Sequence, residues 1–121
     1  MITEDYVSFE TAKLLKEKGF NERTCNTCYK WNGNFCNNRK SMSGIDNEIC
    51  YQAPTLQMAM KWLREVHNIA IDTEWEHLWY AYVKPMTSNP SEDDYYRCES
   101  SKYEEVCEAA IKYCLENLIT E

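Results

Sequence analysis

Glycine and proline are both scarce in this sequence of 121 residues, which contains three of each. Collagen-like repeats and low-complexity segments need far more of both, so neither describes this chain. Three scattered glycines also exclude a glycine-rich loop of the kind that cradles phosphates, and the motifs HExxH and GxSxG are absent. With no catalytic motif present, we predict a protein that is not an enzyme and has no cofactor, apart from a possible zinc ion considered below.

Long apolar runs are missing as well. None approaches the ~18 residues that a membrane span needs, and the opening residues MITEDY lack the basic and apolar regions of a secretory signal. The cysteines number seven, and an odd count without an export signal is typical of reduced thiols in a cytoplasm. We therefore expect a cytoplasmic protein with no membrane contact.

Basic residues are outnumbered, since thirteen Lys and Arg stand against twenty Asp and Glu, for a net charge of −7. Residues 92–121 hold nine of the acids and three of the bases, whereas residues 1–91 are almost neutral. A basic groove for a phosphate backbone is therefore not expected, and we predict no nucleic-acid partner. An acidic surface of this kind either keeps a protein soluble or meets a basic partner.

Three segments, residues 8–18, 54–68 and 101–119, have the apolar spacing of amphipathic helices. Their expected caps and stops are Ser8 with Gly19, Thr55 with Asn68, and a capping box formed by Ser101 and Glu104. The second helix should bury a stripe made of Leu56, Ala59, Trp62, Leu63 and Val66.

Strand patterns fill the gaps between the helices. Residues 24–36 predict a hairpin around a type I′ turn at Asn32-Gly33, and shorter strands are expected at 48–51 and 95–99. Residues 37–47 and 85–94 read as loops. The resulting fold class is α+β, with an antiparallel β-sheet of about four to six short strands and three helices in the order α-β-β-β-α-β-β-β-α. We expect residues 1–121 to form a single globular domain.

Residues 69–84 alternate between apolar odd positions and polar even positions. A single strand of that length would exceed the usual ~3–10 residues, so a hairpin that turns near residues 73–76 is favoured. A two-residue turn would reverse the alternation and bring Leu78, Tyr80 and Tyr82 inward. The sequence leaves both alternations open.

Residues 53–68 read APTLQMAMKWLREVHN, residues 103–118 read YEEVCEAAIKYCLENL, and residues 6–20 read YVSFETAKLLKEKGF. These helices resemble a family of small uncharacterised proteins from Bacteroidales gut bacteria and their phages. The resemblance implies a cytoplasmic protein from the accessory repertoire of a phage or mobile element. It assigns no activity, cofactor or site residue, and it does not extend to residues 24–47.

Four cysteines, Cys25, Cys28, Cys36 and Cys50, are spaced so that they could supply a tetrahedral zinc site. A strand that carries Cys25 and Cys28 would direct them to opposite faces, and neither glycine nor proline follows the pair to form a tight knuckle. Zinc is therefore retained as an alternative. Three alternating carboxylates, at Asp72, Glu74 and Glu76, could likewise hold a hard cation or simply form a charged strand edge.

Aromatic side chains are concentrated in the C-terminal strands. The candidate interface or ligand residues are Tyr80, Tyr82, Tyr95, Tyr96 and Arg97. Exposed tyrosines are typical of protein interfaces, so we expect a non-enzymatic module that binds an unknown protein partner or forms a homo-oligomer. The alternative is a protein that sequesters a small, nucleotide-like ligand in a pocket formed by aromatics with Arg39, Lys40 or Arg97.

Overall fold

The computed structural model describes residues 5–21, 27–36, 50–87 and 95–119. Within these residues three helices and six strands follow one another in the predicted order, which confirms the α+β class. The elements are α1 (Phe9–Glu17), β1 (Cys28–Lys30), β2 (Phe35–Cys36), β3 (Cys50–Gln52), α2 (Leu56–His67), β4 (Ile69–Glu76), β5 (Leu78–Pro85), β6 (Tyr96–Ser100) and α3 (Tyr103–Tyr113), and α3 continues as a π-helical turn (Cys114–Leu118). The loop predicted at 37–47 lies outside the described residues, as does most of the loop at 85–94.

The strands form two antiparallel sheets, ordered β2-β1-β3 and β4-β5-β6, and not the single sheet predicted from the sequence. Pairing is local within each half of the chain, because β3 returns to β1 and β4 pairs with β5. The twelve residues of α2 separate the two groups and carry the chain from the first sheet to the second. No described residue in either sheet forms a parallel pair.

The caps of α1 and α2 confirm the sequence prediction. The hydroxyls of Ser8 and Thr55 each accept a hydrogen bond from the backbone N–H three residues further on. At the other ends, Gly19 has a φ of 100° and Asn68 a φ of 57°. Both are left-handed conformations that stop a helix, and glycine and asparagine adopt them more readily than other residues do.

The predicted capping box of α3 is displaced by one residue. Lys102 occupies the N-cap position and makes no side-chain cap. Instead the Ser100 hydroxyl accepts a hydrogen bond from the Lys102 N–H at 3.2 Å and donates one to Glu105 at 2.8 Å. The serine that is used, the last residue of β6, lies one position before Ser101, and the glutamate that it meets lies one position after Glu104.

The turn of the first hairpin also differs from the prediction. Lys30 donates its N–H to the Asn34 carbonyl, so the loop has three residues, 31–33, rather than two. Only Gly33 in this loop has a positive φ, at 92°. A type I turn followed by a left-handed glycine is the usual three-residue hairpin loop, whereas a type I′ turn would need Asn32 to be left-handed too.

The hairpin predicted within residues 69–84 is present, and its turn falls at His77, whose φ is 69°. Trp75 pairs with Trp79, so odd positions face odd positions and the alternation is preserved across the turn. Ala81 and Val83 are consequently completely buried. Trp75, also at an odd position, is 62% exposed because the tip of the hairpin extends past the helices.

One hydrophobic cluster joins residues from all three helices and from the two long strands β4 and β5. Val7, Phe20 and Ile119, which lie outside these elements, also belong to it. Its completely buried large side chains include Leu15, Leu63, Ile111 and Leu115. Val66, predicted to belong to the α2 stripe, is instead 55% exposed in the last turn of the helix. The helices α2 and α3 pack on the β4-β5-β6 sheet.

Candidate protein-binding surface

The two faces of the β4-β5-β6 sheet differ in composition. Ala81 and Val83 on β5 belong to the hydrophobic cluster, and Cys98 on β6 packs against it, so this face meets the helices. Because successive strand residues project to opposite sides, the intervening positions form the second face. That open face carries Asp72, Glu74, Tyr80, Tyr82, Lys84, Arg97 and Glu99, all half-buried or exposed.

Two tyrosines form the centre of the open face. The rings of Tyr80 and Tyr82 are stacked along β5, with centroids 6.4 Å apart and planes 24° from parallel. The Arg97 guanidinium lies 5.6 Å from the centroid of the Tyr80 ring, and the Lys84 ammonium lies 5.8 Å from that of Tyr82. Cations at these distances are attracted to the ring faces, so the two tyrosines are held in place without being covered.

Lys84 has a second contact on this face. Its ammonium donates a hydrogen bond to the Asp72 carboxylate of the paired strand at 2.9 Å. That hydrogen bond and the charge of Asp72 raise the pKa of Lys84. Both groups are about half exposed or more, so the pair fixes the position of Lys84 and adds little stability.

A shallow depression of about 270 Å³ lies between the second half of β5 and the start of β6. It is open to solvent and is lined by Tyr82, Val83, Lys84, Tyr95, Tyr96 and Arg97. Four of the five predicted site residues therefore come together on or beside the open face, namely Tyr80, Tyr82, Tyr95 and Arg97. Lys84 completes the group, and the strand alternation that placed Tyr82 there already indicated this lysine.

Tyr96 differs from the other four. Its ring stacks face to face on Tyr113 of α3, with centroids 3.7 Å apart and planes 5° from parallel. Removal from water raises the pKa of its hydroxyl. Tyr95 and Tyr96 are neighbours in the chain and so project to opposite sides of the strand, and the pairing of Tyr96 with Val83 places Tyr96 on the helix side. It borders the depression but does not belong to the open face.

Three of the four candidate zinc ligands lie in strands that the structure describes. Cys25 lies outside the described residues, and Cys28 is buried in β1. The strand register pairs Cys28 with Cys36 and Lys30 with Cys50, so the backbone brings three of the four positions into one small sheet. A tetrahedral site also needs the fourth ligand, and zinc binding stays a prediction.

The remaining candidate metal ligands do not assemble. Across residues 5–21, 27–36, 50–87 and 95–119, no three His, Cys, Asp or Glu side chains lie close enough to hold one ion. Asp72 is engaged by Lys84, and His77 lies at the turn beyond Glu76. The rings of His67 and Trp62 are T-shaped, with centroids 4.7 Å apart, and burial lowers the pKa of His67, which favours the neutral ring.

Comparison of the chain with protein-family models, with curated proteins and with solved structures finds no match to any of them. In the part of the chain that the structure describes, no helix is both long enough and apolar enough to cross a membrane.

Proposed function

We propose that this protein is a non-enzymatic, protein-binding module and that the open face of the β4-β5-β6 sheet is its binding surface. The observation that carries the proposal is the stacked pair Tyr80 and Tyr82, flanked by Arg97 and Lys84, on the sheet face opposite α2 and α3. Tyrosine and arginine are the residue types that most often dominate binding energy at protein interfaces. Tyrosine is also rigid, so little conformational entropy is lost when it is covered.

The charges of the open face favour a protein over a nucleic acid. Asp72, Glu74 and Glu99 surround the tyrosines, and Lys84 is already neutralised by Asp72. A nucleic-acid surface needs several cations that remain available to phosphates. A protein partner with an apolar centre and basic groups at its rim would match this arrangement.

Affinity capture with matched variants tests the proposal. Immobilised wild-type protein is compared with Tyr80→Ser/Tyr82→Ser, in which the stacked pair is removed, and with Trp31→Ser as a control. Trp31 is 64% exposed at the tip of the other hairpin, so it is an equally accessible aromatic outside the open face. We expect a protein that wild type and the Trp31 variant retain and the tyrosine variant loses. Equal retention by all three would contradict the proposal.

A second candidate function follows from the depression. Tyr82 and Tyr95 with Arg97 combine stacking surfaces with a cation, which is the chemistry that recognises a nucleotide-like ligand. We infer that, if the protein sequesters such a ligand, the base would stack on Tyr82 or Tyr95 and the phosphate would meet Arg97. Arg39 and Lys40, the other cations predicted for this pocket, lie outside the described residues.

Calorimetric titration with mononucleotides and cyclic dinucleotides separates this candidate from the first. A sequestering protein would bind at least one of them, and Arg97→Ala would weaken that binding about tenfold or more, since a charge-assisted contact to phosphate is lost. Absence of heat with every nucleotide would exclude these ligands and leave the protein-binding proposal intact.

A further inference from the structure

β6 is an outer strand of its sheet, and its exposed residues have a self-complementary pattern. The sheet order β4-β5-β6 leaves one side of β6 without a neighbouring strand among the described residues. On the open face β6 carries Arg97 and Glu99, one on each side of Cys98. Both are exposed, and within the described segments neither forms an ion pair.

We propose that two copies of this protein associate through β6, paired antiparallel about a two-fold axis at Cys98. In that register Arg97 of each copy lies opposite Glu99 of the second copy, and the contact occurs twice. Tyr96 then lies opposite Ser100, so a large side chain meets a small one. Directly opposite side chains in an antiparallel pair are about 4.5–5.5 Å apart at Cβ, within reach of an ion pair. The β4-β5-β6 sheets of the two copies then become one sheet of six strands.

The other outer strand, β4, is unsuited to the same contact. Its open-face residues Asp72, Glu74 and Glu76 are all acidic. A two-fold pairing about Glu74 would place Asp72 opposite Glu76 of the second copy, and like charges directly opposite each other are destabilising. Charged outer strands of this kind prevent association. The contrast between the two outer strands selects β6.

The helix above β6 leaves room for the second copy. α3 runs antiparallel to β6, because Glu105 bonds Ser100 at one end and Tyr113 stacks on Tyr96 at the other. Ala109 lies about one helical turn from each of these two residues, on the same side of α3, and is exposed. Cys98 is likewise midway between Tyr96 and Ser100 on β6. The two-fold axis would therefore bring Ala109 towards Ala109 of the second copy, and alanine permits close approach of two helices.

The spacing of the elements agrees with this contact. α3 packs over both β5 and β6. An axis midway above these two strands would lie about half a strand spacing inside β6. With strands about 4.8 Å apart, the two α3 axes would be about 10 Å apart across the dimer. That distance is within the usual range for packed helices, ~8–10 Å. A β6 contact and an α3 contact can therefore form at the same time.

This inference goes beyond the proposed function, since it concerns the outer edge of the sheet and a second copy of the same chain. Sedimentation equilibrium over a range of concentrations tests it. We expect wild type to reach twice the monomer mass of 14.4 kDa. Arg97→Glu and Glu99→Arg, each of which brings like charges together, should raise the dimer dissociation constant about tenfold or more. Ala109→Arg should do the same by obstructing the helices.

Mixing the two charge variants provides the sharpest readout. A chain with Arg97→Glu presents two acids and a chain with Glu99→Arg presents two bases, so an equimolar mixture should form heterodimers more tightly than either variant forms a homodimer. Glu74→Arg is the matched control. Glu74 on β4 and Glu99 on β6 both pair with Tyr80, so they lie in one row across the sheet, but only Glu99 is on the strand proposed to meet the second copy. Glu74→Arg should leave the dimer unchanged. A monomeric wild type would overturn the inference and leave the open-face proposal standing. The inference would also be overturned if all three substituted proteins dimerised as wild type does, or if the mixture of the two charge variants formed no heterodimer.

Discussion

Glu108 connects two distant parts of the chain, the last helix and the start of the first. Its carboxylate accepts hydrogen bonds from the backbone N–H of Ser8 at 3.2 Å and from the Ser8 hydroxyl at 2.6 Å, and also from the hydroxyl of Thr11. Thr11 is completely buried. An acid on α3 thus satisfies donors at the N-terminus of α1, where a negative charge also meets the positive end of the helix dipole.

We expect Glu108→Ala to lower the free energy of unfolding by about 2 kcal/mol, since it removes charge-assisted hydrogen bonds and leaves the Thr11 hydroxyl without this acceptor. Glu116→Ala, at an exposed position further along the same segment, should change it by less than about 0.5 kcal/mol. Urea denaturation of the three proteins measures both values. Equal stability of the Glu108 variant and wild type would show that this carboxylate is replaceable by water.

Two thiols of α3 and its π-helical turn are expected to be chemically inert. Burial raises the pKa of Cys107 to about 11 and that of Cys114 to about 12. Only the thiolate reacts with alkylating agents, so neither residue should be modified by iodoacetamide in the folded protein at pH 8. Mass spectrometry of digested samples would show both labelled only after unfolding. Labelling of the folded protein at the same rate as in urea would contradict the burial of these thiols.

The same raised pKa values predict how stability depends on alkaline pH. An unfolded thiol has an ordinary pKa of 9, so above this pH the unfolded chain loses protons that the folded chain retains. The contribution of Cys107 and Cys114 is therefore fully present below pH 9 and is lost as the pH rises through about 11 and 12. Thermal melts at increasing pH should show the melting temperature falling from pH 9 upward.

The helices and their ends were predictable from the sequence, because residues close together in the chain determine them. The caps Ser8 and Thr55 and the stop at Asn68 need only a few neighbouring residues, and they appear in the structure where the sequence placed them. Pairing between strands needs contacts from distant parts of the chain. For that reason the division into two sheets and the side on which Tyr96 lies were not predicted, since a register one residue different would exchange the faces.

The β4-β5 hairpin offers a test at the scale of one element. His77 has a φ of 69°, a conformation that β-branched residues adopt only with strain. We expect His77→Val to lower the free energy of unfolding by about 1–2 kcal/mol, whereas His77→Gly should be neutral or slightly stabilising. Chemical denaturation distinguishes the two. Equal effects of valine and glycine would mean that the turn is not held in this conformation.

At the scale of the whole molecule, the net charge of −7 is distributed unevenly between surfaces. Two acids of α3 have structural uses, because Glu108 bonds the N-terminus of α1 and Glu105 bonds Ser100. Its one base in the last turn, Lys112, pairs with Glu10 of α1 at 3.2 Å. The acidic C-terminal third therefore gives little information about a partner. An acidic surface alone can serve only to keep a protein soluble. We therefore base the binding proposal on the aromatic and charged groups of the open face and not on the acidic surface of α3.

The affinity of the captured partner for purified protein tests that central claim most directly. Calorimetric titration of the partner into wild type, Trp31→Ser and Tyr80→Ser/Tyr82→Ser compares the open face with an exposed aromatic elsewhere. We predict equal dissociation constants for wild type and the Trp31 variant, and a value about tenfold or more higher for the tyrosine variant, since interface tyrosines commonly contribute more than about 1.4 kcal/mol each. Equal affinity of all three proteins would contradict the assignment of the open face as the binding surface.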